Sequence, residues 1–246
     1  MSHRPLSLQL YSVRTAISAD LSGTLARVSA LNLKHVELYG FADRGAEYAD
    51  QLAAHNLAAP SGHGSLVGDT TTIFDAANLI GMKTVIDPFI DPSRWTTRDD
   101  VAAIAAQLNA VALVAADSGL RIGYHNHAFE LENRIGGVSA LEVLADHLDD
   151  AVVLELDTYW VSVGGDDPVA LLGKLGSRVE FLHIKDGPIT KNDADQVAVG
   201  SGSMPISDIL AAAPNALAVI ELDDFTGDVF DAVRDSVSYL TELENS

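Results

Sequence analysis

Eight apolar, β-branched runs of strand length recur along the 246-residue chain with helix-patterned segments between them. This alternation, more than any single motif, limits the folds the chain can adopt. The runs are Leu6–Tyr11, His35–Tyr39, Leu57–Pro60, Thr84–Phe89, Arg121–His127, Ala151–Asp157, Val179–Lys185 and Ala218–Leu222. Ala-rich segments with apolar residues three and four apart separate them, most clearly Val101–Ala116 and Val229–Leu240. Thr97 stands before an acidic first turn containing Asp99 and Asp100, a helix start, and Gly119 follows a helix end near Ser118.

Strand and helix alternate from end to end, and no Pro/Gly/Ser-rich linker divides the chain, so residues 1–246 are expected to form a single α/β domain. Eight βα units predict a closed (β/α)8 barrel, an architecture of about 250 residues. A doubly wound open sheet would carry G-x-G-x-x-G after its first strand; Gln9-Leu10-Tyr11-Ser12-Val13-Arg14 stands there instead. The loop Val199-Gly200-Ser201-Gly202-Ser203 lacks the Gly-Lys-Ser/Thr of a P-loop and reads as an ordinary βα loop rather than a phosphate site.

Composition narrows the function. There is no cysteine, which excludes disulfides, thiolate catalysis and Cys-ligated zinc. A formal charge of −20 with 15 Lys and Arg argues against nucleic acid as a partner. No run of 18 uninterrupted apolar residues predicts a membrane span, and the first residues lack a signal-peptide pattern, so a cytoplasmic location is expected.

Polar residues end one apolar run after another, and in a barrel the C-terminal strand ends share one mouth. The candidates are Glu37 in the second run, His63 just after the third, His125, His127 and Glu130 around the fifth, Asp157 ending the sixth, His183 and Lys185 in the seventh and Glu221 in the eighth. A lone histidine at a strand end is more often hydrogen-bonded structure than a ligand. As a set they differ: Asp157, His183 and Glu221 interrupt three successive apolar strands, where unpaired carboxylates would lose their hydration, so a bound cation is the economical explanation. The plainer alternative, a buried ion-pair network, needs a cation, and Lys185 is the one such residue in these runs. Oxygen and nitrogen donors suit one divalent ion, Mn, Mg, Co or Zn. Such an ion could bind a hydroxyl and an adjacent carbonyl, lower the cost of an enediolate and leave a carboxylate to move a proton.

The chain resembles the sugar phosphate isomerase/epimerase group of the xylose isomerase-like TIM barrels, a superfamily that also contains AP endonuclease family 2. The likeness rests on Leu8-Gln9-Leu10-Tyr11-Ser12-Val13-Arg14, His35-Val36-Glu37-Leu38, Ser61-Gly62-His63-Gly64, Tyr124-His125-Asn126-His127-Ala128-Phe129-Glu130, Leu156-Asp157-Thr158-Tyr159-Trp160, Leu182-His183-Ile184-Lys185-Asp186, Val199-Gly200-Ser201-Gly202 and Ile220-Glu221. The resemblance implies a metal held by Glu, Asp, His and Glu from strands five to eight. Asp157, His183 and Glu221 match; His125 stands where the related ketose 3-epimerases carry the first Glu, and Glu130, a few residues on, is taken as the fourth ligand because a third carboxylate better balances a dication. Glu221, His125 and His127 are then the expected proton-transfer residues, and Glu37, His63, Trp160 and Lys185 the expected substrate-binding ones.

The resulting expectation is a metal-dependent isomerase or epimerase of a carbohydrate, keto sugar or cyclitol. A dehydratase or lyase on an inosose or 3-keto-glycoside shares its first step. An endonuclease would need a basic groove, which the charge opposes, and a non-catalytic sugar-binding module is the remaining alternative. A homo-oligomer is compatible with the sequence.

Overall fold

The computed structural model describes residues 4–245. Eight parallel strands close on themselves: β1 (Leu6–Gln9), β2 (His35–Tyr39), β3 (Ala58–His63), β4 (Thr84–Asp87), β5 (Arg121–His125), β6 (Val152–Asp157), β7 (Val179–Ile184) and β8 (Leu217–Ile220). Each pairs with its sequence neighbours, and β1 joins β8 with Leu6 opposite Ala218, so the sheet has no free edge. Both faces of these strands are buried, which is why they read as near-continuous apolar runs.

Strand ends differ from the sequence reading for local reasons. β3 continues past Pro60 to His63, through a Gly62 whose missing Cβ leaves room for Met82. β4 stops at Asp87 because Pro88 has no N–H for the ladder and the Asp87 carboxylate accepts from Phe89 N at 3.0 Å. β1 stops at Gln9, whose side chain accepts from Tyr11 N and starts the 3-10 turn Leu10–Val13.

The helix Arg98–Asp117 opens with a capping box between Thr97 and Asp100 and ends before Gly119, whose φ of +72° suits only glycine comfortably. By length and composition this helix could cross a membrane. Its residues Val101, Ile104, Ala105, Leu108, Ala112 and Ala115 instead form a buried stripe, which packs on β5 and on the helix Ala140–His147. A short hairpin, Arg134–Ile135 with Val138–Ser139, turns through Gly136 and Gly137 between β5 and β6.

Inside the barrel, Ile86, Val153 and Phe181 pack together with Leu217 as an apolar plug. The buried histidines and carboxylates of the site stand toward the C-terminal ends of the strands.

Candidate active site

Side chains two apart on a strand share a face, so each strand that contributes to the plug lifts its next inward residues into successive layers. On β6 the series is Val153, Glu155, Asp157; on β7 and just past it, Phe181, His183, Lys185; on β8 and just past it, Leu217, Val219, Glu221. Register holds the layers level: Asp157 lies opposite His183 and His125 opposite Glu155.

The lower polar layer joins Glu37, His63, His125, Glu155 and His183. His183 Nε2 lies 2.7 Å from Glu37 Oε1 and 3.1 Å from Glu155 Oε2. His63 Nε2 lies 2.6 Å from Glu155 Oε2 and 3.2 Å from Glu37 Oε1, with its ring stacked on His183. His125 Nδ1 is 3.1 Å from the same Glu155 oxygen. Gln9 Nε2 and Ser61 Oγ donate to Glu37. Glu155 Oε1 is buried without a hydrogen-bond partner among the described residues.

Above it, Lys185 Nζ lies 2.9 Å from Asp157 Oδ2, 2.8 Å from Glu221 Oε2 and 2.6 Å from Asp223 Oδ2. Glu221 Oε2 is also 2.6 Å from His183 Nδ1, so the two layers are linked through one imidazole. Asp157 Oδ2 is attracted to Lys185 while accepting no directed hydrogen bond, whereas its Oδ1 accepts from Trp160 N.

These contacts set the protonation states. Burial alone would lower the His63 pKa, but Glu37 and Glu155 outweigh it and raise it to about 10. Burial opposes ionisation of Glu221, yet Lys185 and His183 hold its carboxyl well below the usual range. Asp157 is pushed up to about 6, burial winning over Lys185. His127 falls to about 4, through burial and the charge of Lys185, and is a neutral imidazole near pH 7.

A cavity of about 530 Å³ opens over this ensemble. His63, His125, His127, Trp160 and Glu221 line it, together with Tyr11, Arg14, Phe89, Asp193, Asp223 and Asp224. Glu37 and Lys185, expected beside the substrate, are 0% and 1% exposed, lie beneath the cavity and brace the groups that line it.

Asp157, His183 and Glu221 come together; Glu130 is not brought into their cluster. Its Oε1 accepts from Tyr124 Oη at 2.6 Å and its Oε2 from His127 N at 2.8 Å, because the short helix Phe129–Glu132 turns it back under the fifth strand's end. Burial raises its pKa to about 7 despite these donors.

Among the described residues, two groups of side chains have the composition and spacing to hold a divalent ion, Asp157, His183 and Glu221 in one and His63, His125, Glu155 and His183 in the other, the ligand atoms of each lying within 4.8 Å of one another. The first fits a hard or borderline dication: two carboxylates offset its charge, and Asp157 Oδ2 is a buried oxygen that meets the Lys185 ammonium at 2.9 Å but accepts no directed hydrogen bond from the described residues. Glu155 is the member of this ensemble that sequence reading passed over, although period-two alternation from Asp157 marks it. Asp223, three residues beyond β8, continues the alternation of Val219 and Glu221 past the end of the strand.

The loop after β7 is organised by Asp186, 1% exposed. Its Oδ1 accepts from Gly187 N and Met204 N and its Oδ2 from Gly200 N and Gly202 N, at 2.9 to 3.0 Å. The amides of Gly200 and Gly202 in the glycine loop are thus engaged by the protein's own carboxylate.

A model of the xylose isomerase-like TIM barrel family matches residues 20–240. An inosose dehydratase from Clostridium beijerinckii is 26% identical over 100 residues, 40% of this chain and 33% of that protein, so the match spans about a third of that relative's length. Among solved structures, a sugar phosphate isomerase/epimerase from Parabacteroides distasonis aligns with a TM-score of 0.84 at 21% identity, over 97% of this chain and 94% of that one. The IolI protein with a bound zinc atom aligns with a TM-score of 0.68 at 14% identity, over 98% of each chain. At such identities the structural likenesses speak to the fold.

Proposed function

The chain belongs to the xylose isomerase-like TIM barrel family, and from that premise we propose that it is a divalent-metal-dependent sugar isomerase or epimerase that removes a proton beside the carbonyl of a keto sugar or cyclitol. The observation that carries this reading is the meeting of Asp157, His183 and Glu221 under a cavity that also presents His127. Those three residues would hold the ion. His125, with Nε2 3.9 Å from Asp157 Oδ2, is better disposed as a fourth donor than Glu130. When bound, the ion would supply positive charge to neighbouring carbonyl and hydroxyl oxygens, lowering the cost of an enediolate.

The remaining work falls to the chain. Glu221 is ionised and makes its close pairings with His183 and Lys185 through Oε2, which leaves Oε1 to take a substrate proton. His127, neutral and with an Nδ1 that finds no partner among the described residues, would move the proton at the neighbouring atom. Glu130 holds the backbone of His127, and Phe129 stacks on its ring at 5.9 Å between centroids. Trp160 and Phe89 line the cavity wall.

Incubating the Mn²⁺-loaded protein in D₂O with a panel of keto sugars and cyclitols tests the reading. Deuterium should enter carbon next to the carbonyl of at least one recovered compound; none in any compound would sink it. A second reading, dehydration after the same proton abstraction, is favoured by the match to inosose dehydratase. Loss of water from an inosose at a rate exceeding isomerisation would select it.

A further inference from the structure

We infer that the site takes an uncharged polyhydroxylated substrate and rejects its phosphate ester, an inference that rests on the proton-abstraction reading above and names its substrate class. In (β/α)8 barrels a substrate phosphate is commonly held by the loops after the seventh and eighth strands, on backbone amides. Both loops are closed to an anion here. After β7, the four amides of Gly187, Gly200, Gly202 and Met204 all donate to the buried Asp186 carboxylate. The fit is tight: a Cβ added at Gly202 would come within 2.2 Å of Asp186 Oδ1. A phosphate would have to displace a buried carboxylate and then lie against it.

After β8 the chain continues Glu221-Leu222-Asp223-Asp224, and both aspartates line the cavity. With Asp193 and Glu221 they set four carboxylates against two cations among the described residues of the lining, the Arg14 guanidinium and the His63 imidazolium, and His63 is already paired with Glu37 and Glu155 beneath. Arg14 is itself committed, donating to Tyr11 O and lying 4.2 Å over the Tyr11 ring. Lys185, the nearest ammonium, is beneath the cavity and shared by three carboxylates. A phosphate dianion would enter a field of its own sign.

The same lining suits a polyol. Carboxylates accept from hydroxyls, and the Trp160 indole N–H and His127 Nδ1 have no partner among the described residues. The faces of Trp160 and Phe89 offer apolar surface to the C–H side of a sugar ring.

Calorimetry on the Mg²⁺-loaded protein decides it, using matched probes: D-fructose, scyllo-inosose and other uncharged ketoses and cyclitols against fructose 1-phosphate, fructose 6-phosphate and inorganic phosphate. At least one uncharged compound should bind about tenfold or more tighter than every phosphorylated probe. A panel in which no uncharged member binds, or in which a phosphate binds as tightly, overturns the inference. Asp193→Lys/Asp224→Lys, which alters two exposed positions, should gain saturable phosphate binding that the native protein lacks below about 10 mM. Saturable sub-millimolar phosphate binding by the native protein would contradict it. Binding rather than turnover is read, so a protein that binds an uncharged ketose without exchanging deuterium defeats the proton-abstraction reading while leaving the substrate class standing.

Discussion

Lys185 Nζ lies 2.8 Å from Glu221 Oε2, with both side chains more than nine-tenths buried at the ends of adjacent strands. The ammonium serves Asp157 and Asp223 as well, so one buried cation is shared by three carboxylates and offsets part of their charge.

Lys185→Met should therefore destabilise the metal-free protein by about 3 to 5 kcal/mol, the usual cost of stranding a buried charge. Divalent metal should restore more stability to the variant than it adds to the native protein. Denaturant melts in EDTA and in Mn²⁺ measure both effects; an equal metal response in the two proteins would contradict the role assigned to the ammonium.

Glu130 gives a pH dependence of definite sign. Its folded pKa, about 7, lies above the ordinary 4.5, so in the interval between them the unfolded chain releases a proton that the folded chain keeps. Below about pH 4.5 the group is protonated in both states and contributes nothing; stability then declines as pH rises toward 7, and the loss levels off above that. The full loss is of order 3 kcal/mol. Melting temperatures of native protein and Glu130→Gln between pH 4 and 8 check it: the variant should lose this sloping segment, and a parallel slope in both would refute the assignment.

Asp186→Ala removes the acceptor of four backbone amides at once. The expected loss is about 3 kcal/mol or more, since hydrogen bonds to a charged group contribute about 1.5 to 3 kcal/mol each and partial rehydration offsets the rest. Amide hydrogen exchange should rise in Gly200 to Met204 ahead of the barrel strands. Unchanged protection there would show that the loop is held by something else.

The barrel was legible because strands buried on both faces are nearly continuous apolar runs, and Asp157, His183 and Glu221 stood out as polar breaks in them. Strand ends were less so. The third apolar run ends at Pro60, yet the strand goes on through Gly62 to His63, because Gly62 gives Met82 and Phe41 the space that a side chain would fill. Glu155 could have been found by alternation from Asp157. Asp186 could not, for its partners lie 14 to 18 residues away on Gly200, Gly202 and Met204, and only the folded loop brings their amides to one carboxylate. Charge counting points to Glu130 as a fourth ligand, whereas the fold engages both of its oxygens with Tyr124 and the His127 backbone, a pairing that spacing along the chain does not reveal.

The most direct measurement is metal content. Native protein dialysed against Mn²⁺ or Zn²⁺ and then against metal-free buffer should retain a divalent ion when assayed by inductively coupled plasma mass spectrometry. Asp157→Asn and Glu221→Gln, each confirmed folded by circular dichroism, should lose most of it. Metal content equal to the native value in both variants would contradict the account at its centre.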